Sequence, residues 1–252
     1  MKRLLSLIIA VGLMFGVAGN ALAAFDRNDL VQVVYNENDN EVAINLGDIS
    51  EIDFNASNQI ISDPGSVSLT QFDTIDTWED LSLAFFAGDN STYQIWFATT
   101  KDTISGISSA GYTPFQSAAT SLYSYFNTDG IDDGLFIGAS ATAGTNSYDE
   151  RMNSNSTAPG YYSGFNNTDT SFGEADLAAL VTDGFVDMYL YHYNGITLVN
   201  GANGSQYTAV LRYFADGSTV LNPITSPVPV PASVLLFGSG LLGLFGIRRK
   251  RA

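Results

Sequence analysis

The sequence predicts a mainly β protein: a single antiparallel β-sandwich of jelly-roll-like form with one or two short helices. Three observations favour this class. Apolar and polar residues alternate over short segments, Tyr, Phe, Thr, Ser, Asn and Gly are abundant, and Asn194-Gly195 is a typical hairpin turn. The body has few lysines and no long heptad pattern, which argues against a helical bundle. An apolar helix is expected at each end of the chain, outside this domain.

The N-terminal helix has the pattern of a secretory signal peptide. Lys2 and Arg3 precede an uncharged apolar run, and the small residues Ala21 and Ala23 flank Leu22 in a small-x-small cleavage site. We therefore expect residues 1–23 to direct export through the Sec machinery. Signal peptidase would cut after Ala23, so that the mature protein begins at Ala24.

Two strand pairs are predicted in the first half of the body. Residues 30–35 and 42–46 alternate across a polar run and indicate a hairpin with one face buried. Residues 81–87 and 93–99 form a second pair around a Gly-Asp-Asn turn. Trp96 lies on the opposite face from its apolar neighbours, so both faces of this pair should be at least partly covered.

Two short helices are predicted from capping patterns. Residues 113–116, Thr-Pro-Phe-Gln, have the order of an N-cap, an N1 proline and a capping-box glutamine. The helix should run to about Tyr125, with Phe115, Ala119, Leu122 and Phe126 on one face. Ser-Phe-Gly-Glu at 171–174 repeats the pattern before a second helix at 175–181, with Gly184 as its stop.

The last third of the body predicts consecutive antiparallel strands. Residues 185–193 and 196–199 flank Asn194-Gly195, which favours a type I′ turn. A strand at 207–214 then returns through Asp216-Gly217 into 218–221. One domain at 24–221 accommodates all of these elements.

The charge of the body is strongly acidic. All 26 acidic residues lie between Asp26 and Asp216, and only four basic residues accompany them, which gives the mature body a net charge of −22. Such a charge disfavours nucleic acid and anionic membrane surfaces as partners. The absence of cysteine rules out disulfides and thiol catalysis.

No catalytic arrangement stands out, and we expect the protein not to be an enzyme. His192 is the only histidine and falls in the same alternate set as apolar strand residues, while no G-x-S-x-G motif occurs. Three adjacent carboxylate pairs, at 79–80, 132–133 and 149–150, leave a polysaccharide hydrolase as a weaker alternative. Adjacent side chains on a strand point to opposite faces, so none of these pairs converges.

Calcium is the one metal that the sequence suggests, and no other cofactor is expected. The loop at 127–134 supplies oxygen ligands and turn glycines, although Ile131 breaks the EF-hand order. Its candidate ligands are Asn127, Asp129, Asp132 and Asp133. Residues 36–41 form a second, weaker oxygen cluster. Plain turns are the alternative interpretation at both places.

Aromatic residues suggest a second kind of binding, to glycans. Rings on a sheet surface can stack on sugars, although aromatics on strands more often pack in cores. The residues concerned are Trp96, Tyr161, Tyr162, Phe165, Tyr189, Tyr191, Tyr193, Tyr207 and Tyr213.

The C-terminus begins with a proline-rich spacer at 222–231, followed by an apolar segment and a basic cluster. Residues 232–247 carry no charge and, as a helix, span about 24 Å, against about 30 Å for a hydrocarbon core. We predict a transmembrane helix here. Arg248, Arg249, Lys250 and Arg251 would lie on the cytoplasmic side, which places the body outside.

This tail resembles the PEP-CTERM sorting signal of exopolysaccharide-producing Gram-negative bacteria. The resemblance rests on the basic cluster and on Val228, Pro229, Val230, Pro231 and Ala232, followed by Phe-Gly-Ser-Gly-Leu-Leu-Gly at 237–243. The match is to the variant whose motif reads Val-Pro-Leu-Pro-Ala, with Val230 where the commoner form has glutamate. The resemblance implies that an exosortase cuts near the prolines and releases or transfers the body.

Together these features predict a non-enzymatic exported protein of the cell surface or extracellular matrix, associated with biofilm or exopolysaccharide. It would be anchored in the inner membrane with its body in the periplasm, and would reach the surface after exosortase processing. A glycan-binding or calcium-dependent adhesion module is the alternative, and exopolysaccharide is the candidate partner for both.

Overall fold

The structure is a computed structural model that describes residues 24–89, 94–105, 111–128, 134–139, 146–152, 173–201 and 204–224. Within these ranges the chain is mainly β with few helices, as predicted. The strands are β1 (Asp29–Tyr35), β2 (Asn40–Asp48), β3 (Gln59–Ser62), β4 (Ser82–Asp89), β5 (Gln94–Thr99), β6 (Leu135–Ala139), β7 (Glu174–Asp176), β8 (Phe185–Tyr193), β9 (Leu198–Val199), β10 (Ala209–Phe214) and β11 (Thr219–Leu221).

The helices are few and short. They are α1 (Tyr112–Phe126), α2 (Tyr148–Met152) and α3 (Ala179–Thr182), with 3₁₀ turns at Leu69–Gln71 and Trp78–Asp80. None of the helices within the described ranges is long and apolar enough to cross a membrane. The predicted signal helix at 1–23 and the predicted transmembrane helix at 232–247 lie outside those ranges.

All strands belong to one antiparallel sheet. Its order is β3-β11-β10-β8-β5-β4-β1-β2-β6, with β7 pairing to β4 and β9 to β8. The sheet curls over on itself. Four strands separate β11 from β1 in the sheet, and yet the hydroxyl of Thr219 on β11 donates a hydrogen bond to Gln32 on β1. We predicted a sandwich of jelly-roll-like form; here the two facing layers are parts of a single curled sheet.

A hydrophobic core lies on each face of the sheet. The inner core fills the curl and includes Leu30, Val34, Val42, Ile44, Phe85, Trp96, Met188, Leu190, Leu211, Tyr213 and Leu221. The outer core lies on the opposite face and includes Val31, Val33, Tyr35, Phe86, Phe97, Phe115, Leu122, Phe126, Tyr148 and Tyr191. The prediction that one face of the first hairpin is buried was wrong, because every residue of β1 is buried. Coverage of both faces around Trp96 is confirmed.

Helix α1 covers the outer core. Its predicted apolar face is confirmed, since Phe115, Ala119, Leu122 and Phe126 are all buried. The helix begins two residues earlier than predicted, with Gly111 rather than Thr113 as its N-cap. A side chain at Gly88 of β4 would place its Cβ 3.1 Å from that of Ala119, so the glycine allows close helix–sheet packing.

The second predicted helix was largely wrong. Residues Glu174–Asp176 form strand β7 on β4, and only Ala179–Thr182 is helical. The reason is tertiary: β5 pairs with β4 only from Phe86 onward, which leaves Ser82 to Ala84 with an open edge that β7 fills. The helix stop at Gly184 is confirmed by its φ of 78°.

The C-terminal strands follow the prediction, but their first turn differs. The Asn194-Gly195 connection is wider than a two-residue type I′ turn, because Asn194 N donates to Thr197 O and only Gly195 of the pair has positive φ. The Asn194 side-chain oxygen accepts from Ile196 N and Thr197 N and so closes the loop. The return of β10 into β11 is confirmed.

Candidate functional site

The end of the folded domain is fixed by one residue, Asn222. It directly follows β11 and has a φ of 45°, which turns the chain away from the sheet. Its side-chain amide donates to Phe54 O at 2.8 Å and Ala56 O at 3.0 Å, and its Oδ1 accepts from Val210 N at 3.0 Å. The backbone adds Asn222 N to Val210 O and Asn58 N to Asn222 O. We call these five hydrogen bonds the exit clamp.

The described chain continues only briefly beyond the exit clamp. Pro223 is half-buried, and Ile224 is 59% exposed. The proline has no backbone N–H to pair with a neighbouring strand. The sheet therefore ends at the clamp, and the chain leaves the domain here.

The other end of the domain is held in a similar way. The Asn127 amide both accepts from Phe25 N and donates to Phe25 O, at 2.9 and 2.8 Å. The Phe25 ring is buried against Phe126 of α1, with centroids 5.1 Å apart. Asn45 donates to the carbonyl of Ala24. The first two residues of the predicted mature chain are thus packed and hydrogen-bonded.

A buried acidic cluster lies in the outer core, where β2 meets α2 and β7. Glu41 is 0% exposed; its Oε2 accepts from Tyr148 N at 2.8 Å, and its Oε1 has no partner among the described residues. Tyr148 also donates through its hydroxyl to Glu174 at 3.3 Å and packs on Tyr35 with ring centroids 5.0 Å apart.

Burial dominates the electrostatics of this cluster. It raises the pKa of Glu41 to about 8, since backbone bonds from Tyr148 and Asp149 offset only part of the desolvation, and the Asp149 charge adds to it. The pKa of the Tyr35 hydroxyl is likewise held well above its usual range by burial and by Glu174. At neutral pH the Glu41 carboxyl is therefore protonated. The buried, neutral Glu41 carboxyl holds the start of α2 in place by accepting the hydrogen bond from Tyr148 N.

One comparison with known proteins gives a match, and it covers the C-terminal end of the chain. A family model for the PEP-CTERM protein-sorting motif matches residues 227–251. The chain carries a PEP-CTERM sorting motif at its C-terminus. No curated protein and no solved structure matches the chain.

The PEP-CTERM motif confirms the family resemblance predicted from the tail. It begins five residues after Asn222 of the exit clamp. The motif indicates export in a Gram-negative bacterium and implies an exosortase as the processing partner. The predicted sorting residues Val228 to Ala232 and Arg248 to Arg251, and the cleavage-site residues Ala21 and Ala23, lie outside the described residues.

The predicted calcium loop at 127–134 is described only at its two ends, at 127–128 and at 134. Asp129, Asp132 and Asp133 lie outside the described residues, and the Asn127 side chain is bonded to the Phe25 backbone. Within the described ranges no group of three or more His, Cys, Asp or Glu side chains is placed to hold a metal ion.

The second oxygen cluster, at 36–41, instead organises a loop. Both oxygens of Asp39 accept hydrogen bonds, from Asn40 N and Asp73 N on one side and from Thr74 N and Thr74 Oγ1 on the other. Burial alone would raise the pKa of Asp39, but these bonds lower it. Asp39 thereby ties the β1–β2 turn to residues 73–74.

Among the predicted sugar-stacking aromatics that the structure describes, most are core residues. Tyr191, Tyr193 and Tyr213 are at most 2% exposed, and Trp96 stacks on His192 with centroids 4.4 Å apart. His192 bonds Gln94 through Nε2, and burial lowers its pKa. Only Tyr189 and Tyr207, with centroids 4.8 Å apart, are half-buried at the surface. Tyr161, Tyr162 and Phe165 lie outside the described residues.

Sequence reasoning missed Asn222 and Glu41 as fixed points. Asn222 precedes a proline and follows a strand, which is a signal for a turn but not for its bonding partners. Glu41 was predicted only as part of the second oxygen cluster, at 36–41. Its burial depends on α2, whose contact with β2 spans 107 residues of sequence.

Asn222→Gly should destabilise the domain by about 2–4 kcal/mol. Glycine keeps the left-handed backbone but removes three side-chain hydrogen bonds, each of net value about 1 kcal/mol, and leaves two partly buried carbonyls without this partner. Urea unfolding monitored by tryptophan fluorescence measures the loss. Asn58→Gly is the matched control, since Asn58 also has positive φ but is exposed. Equal effects of the two changes would contradict the clamp.

Glu41→Gln should stabilise the protein at neutral and alkaline pH. The folded-state pKa of Glu41, about 8, lies above the ordinary 4.5, so its contribution to stability is full below pH 4.5 and is lost as pH rises towards 8. The variant should match wild type near pH 4 and exceed it by about 4 kcal/mol at pH 8, at about 1.4 kcal/mol per pKa unit. The same difference in unfolding free energy between the variant and wild type at every pH would contradict this.

Proposed function

We propose that the protein is an exported, non-enzymatic component of the cell surface or extracellular matrix, released or transferred by an exosortase. The PEP-CTERM motif at 227–251 is the observation that carries this proposal. The motif begins five residues after Asn222 of the exit clamp, which follows the last described strand.

The strongly acidic body fits a role outside the cell. A net charge of −22 between residues 24 and 231 keeps copies of the domain apart and soluble. Export begins with the Sec signal at 1–23. Residues 232–247 then hold an intermediate in the inner membrane, and the protein finally reaches the surface or the exopolysaccharide matrix. In this proposal the basic cluster at 248–251 stays in the cytoplasm.

Pro229→Ala with Pro231→Ala should block processing. The full chain is expressed in an exosortase-positive Gram-negative host, and the membrane and released fractions are measured by mass spectrometry. The expected result is a several-fold fall in released protein and accumulation of a membrane form that retains Arg248 to Arg251. Pro223→Ala, outside the motif, is the matched control and should be processed normally.

Loss of the exosortase should have the same effect as loss of the two prolines. A wild-type protein that keeps its basic C-terminus and remains in the inner membrane of the exosortase-positive host would refute the processing step.

Glycan binding is the second candidate, and one surface favours it. Tyr189 and Tyr207 lie half-buried beside Arg212, which donates two 2.7 Å hydrogen bonds to Asp187 and lies 3.8 Å above the ring of Phe185. Aromatic rings next to a paired guanidinium and carboxylate are a suitable surface for sugar rings and hydroxyls.

Tyr189→Ala should weaken binding of the mature protein to the producer's exopolysaccharide by about tenfold, if about 1–1.5 kcal/mol of ring stacking is lost. Affinity is measured by co-sedimentation. Tyr125→Ala, another half-buried tyrosine that lies on α1, is the control and should bind as wild type. Equal binding by all three proteins would remove this candidate and leave the sorting proposal standing.

A further inference from the structure

The inner core contains a polar pair that its apolar surroundings do not explain. Gln32 lies at the centre of the sheet on β1, between Leu30 and Val34 on the same face, and is 0% exposed. Its side-chain nitrogen has no hydrogen-bond partner among the described residues. An unpaired buried amide of this kind costs about 1–3 kcal/mol.

The partner of Gln32 comes from the far end of the chain. Thr219 on β11 is also 0% exposed, and its Oγ1 donates to Gln32 Oε1 at 2.5 Å, across 187 residues of sequence. The curl of the sheet holds the two side chains face to face. Both are packed among the aliphatic and aromatic residues of the inner core.

This hydrogen bond brings a nucleophile close to an acyl carbon. The carbonyl bond is about 1.23 Å long, so Thr219 Oγ1 lies no more than about 3.7 Å from Gln32 Cδ. Reactive geometries have separations of about 3–3.5 Å, and well-oriented intramolecular reactions reach effective molarities of about 10⁵–10⁸ M. The upper bound exceeds this range by only about 0.2 Å.

We propose that Thr219 and Gln32 form an intramolecular ester cross-link between β11 and β1. Thr219 Oγ1 attacks Gln32 Cδ, an Oγ1–Cδ bond forms, and the Cδ–Nε2 bond breaks. The hydroxyl proton passes to the departing nitrogen, which leaves as ammonia. Atoms and charge balance without an oxidant, a reductant or a cofactor.

The environment favours the product over the starting pair. Ammonia leaves for solvent and is protonated at neutral pH, while the buried ester is shielded from hydrolytic water. The reaction also removes the one polar group of the pair that has no partner, the Gln32 nitrogen. The core then contains an ester in place of an unsatisfied amide and a hydroxyl.

The position of the bond gives it a mechanical consequence. Thr219 lies three residues before Asn222, where the chain leaves the domain towards the sorting segment. Strand β11 has only three residues and pairs with β3 at one edge of the sheet. A covalent link to β1 transfers a pull on the tail to the centre of the sheet, in a protein that has no cysteine for a disulfide.

Peptide mapping of the full mature protein tests the cross-link. The body has four basic residues, so trypsin leaves Gln32 on the peptide 28–101 and Thr219 on the peptide that begins at Tyr213. Wild type should give these two peptides joined, with a mass lower than their sum by one ammonia. Hydroxylamine, which cleaves esters, should separate them and leave a hydroxamate at position 32.

Variants identify the bonded atoms. Thr219→Val keeps the shape but has no nucleophile, and should give separate peptides of sequence mass. Thr219→Ser should remain joined. Gln32→Glu loses water instead of ammonia, and should give a joined product of the same mass as wild type.

Wild-type protein alone decides the question, even if a variant fails to fold. The folded wild-type protein is incubated for a prolonged time before digestion. The proposal would be overturned if the two peptides were then separate, each with the mass of its sequence and with the Gln32 amide intact. The contact would then be a hydrogen bond only. Joined peptides that resist hydroxylamine would also overturn the ester.

Discussion

The fold depends on strand β1, whose two faces are both apolar. Leu30 and Val34 point into the inner core, and Val31, Val33 and Tyr35 point into the outer core. A central strand of this kind cannot leave either face in water, because each exposed side chain would lose its burial free energy. The sheet satisfies the inner face by curling over it, and α1 covers the outer face. Every other packing contact follows from these two layers.

Hydrogen bonds at the two ends complete what the cores begin. Asn127 holds Phe25 at the start of the domain, and Asn222 holds the turn after β11 at its end. Both are asparagines that bond to backbone groups, which a sheet edge or a chain end otherwise leaves unpaired. Between them they fix the start of the domain and the turn after its last described strand.

The buried polar residues show what packing alone does not explain. Glu41 is neutral in the outer core and accepts from the backbone at the start of α2. Gln32 lies in the inner core opposite Thr219 with half of its amide unsatisfied. The first has a clear positioning role. The Gln32 side-chain nitrogen remains unpaired if the contact with Thr219 is only a hydrogen bond, and the proposed ester removes the cost of that unpaired group.

The sequence by itself determined the strands within 30–46, 81–99 and 185–221, the apolar face of α1 and the C-terminal sorting motif, because these depend on local periodicity, capping and residue order. It did not predict β3 or β6. Only the tertiary structure decided that residues 174–176 are a strand, since that depends on an open stretch of β4 edge about 90 residues away. The burial of Glu41 and the meeting of Gln32 with Thr219 were equally beyond local patterns. They depend on the curl of the sheet, which is set by packing between strands far apart in the chain.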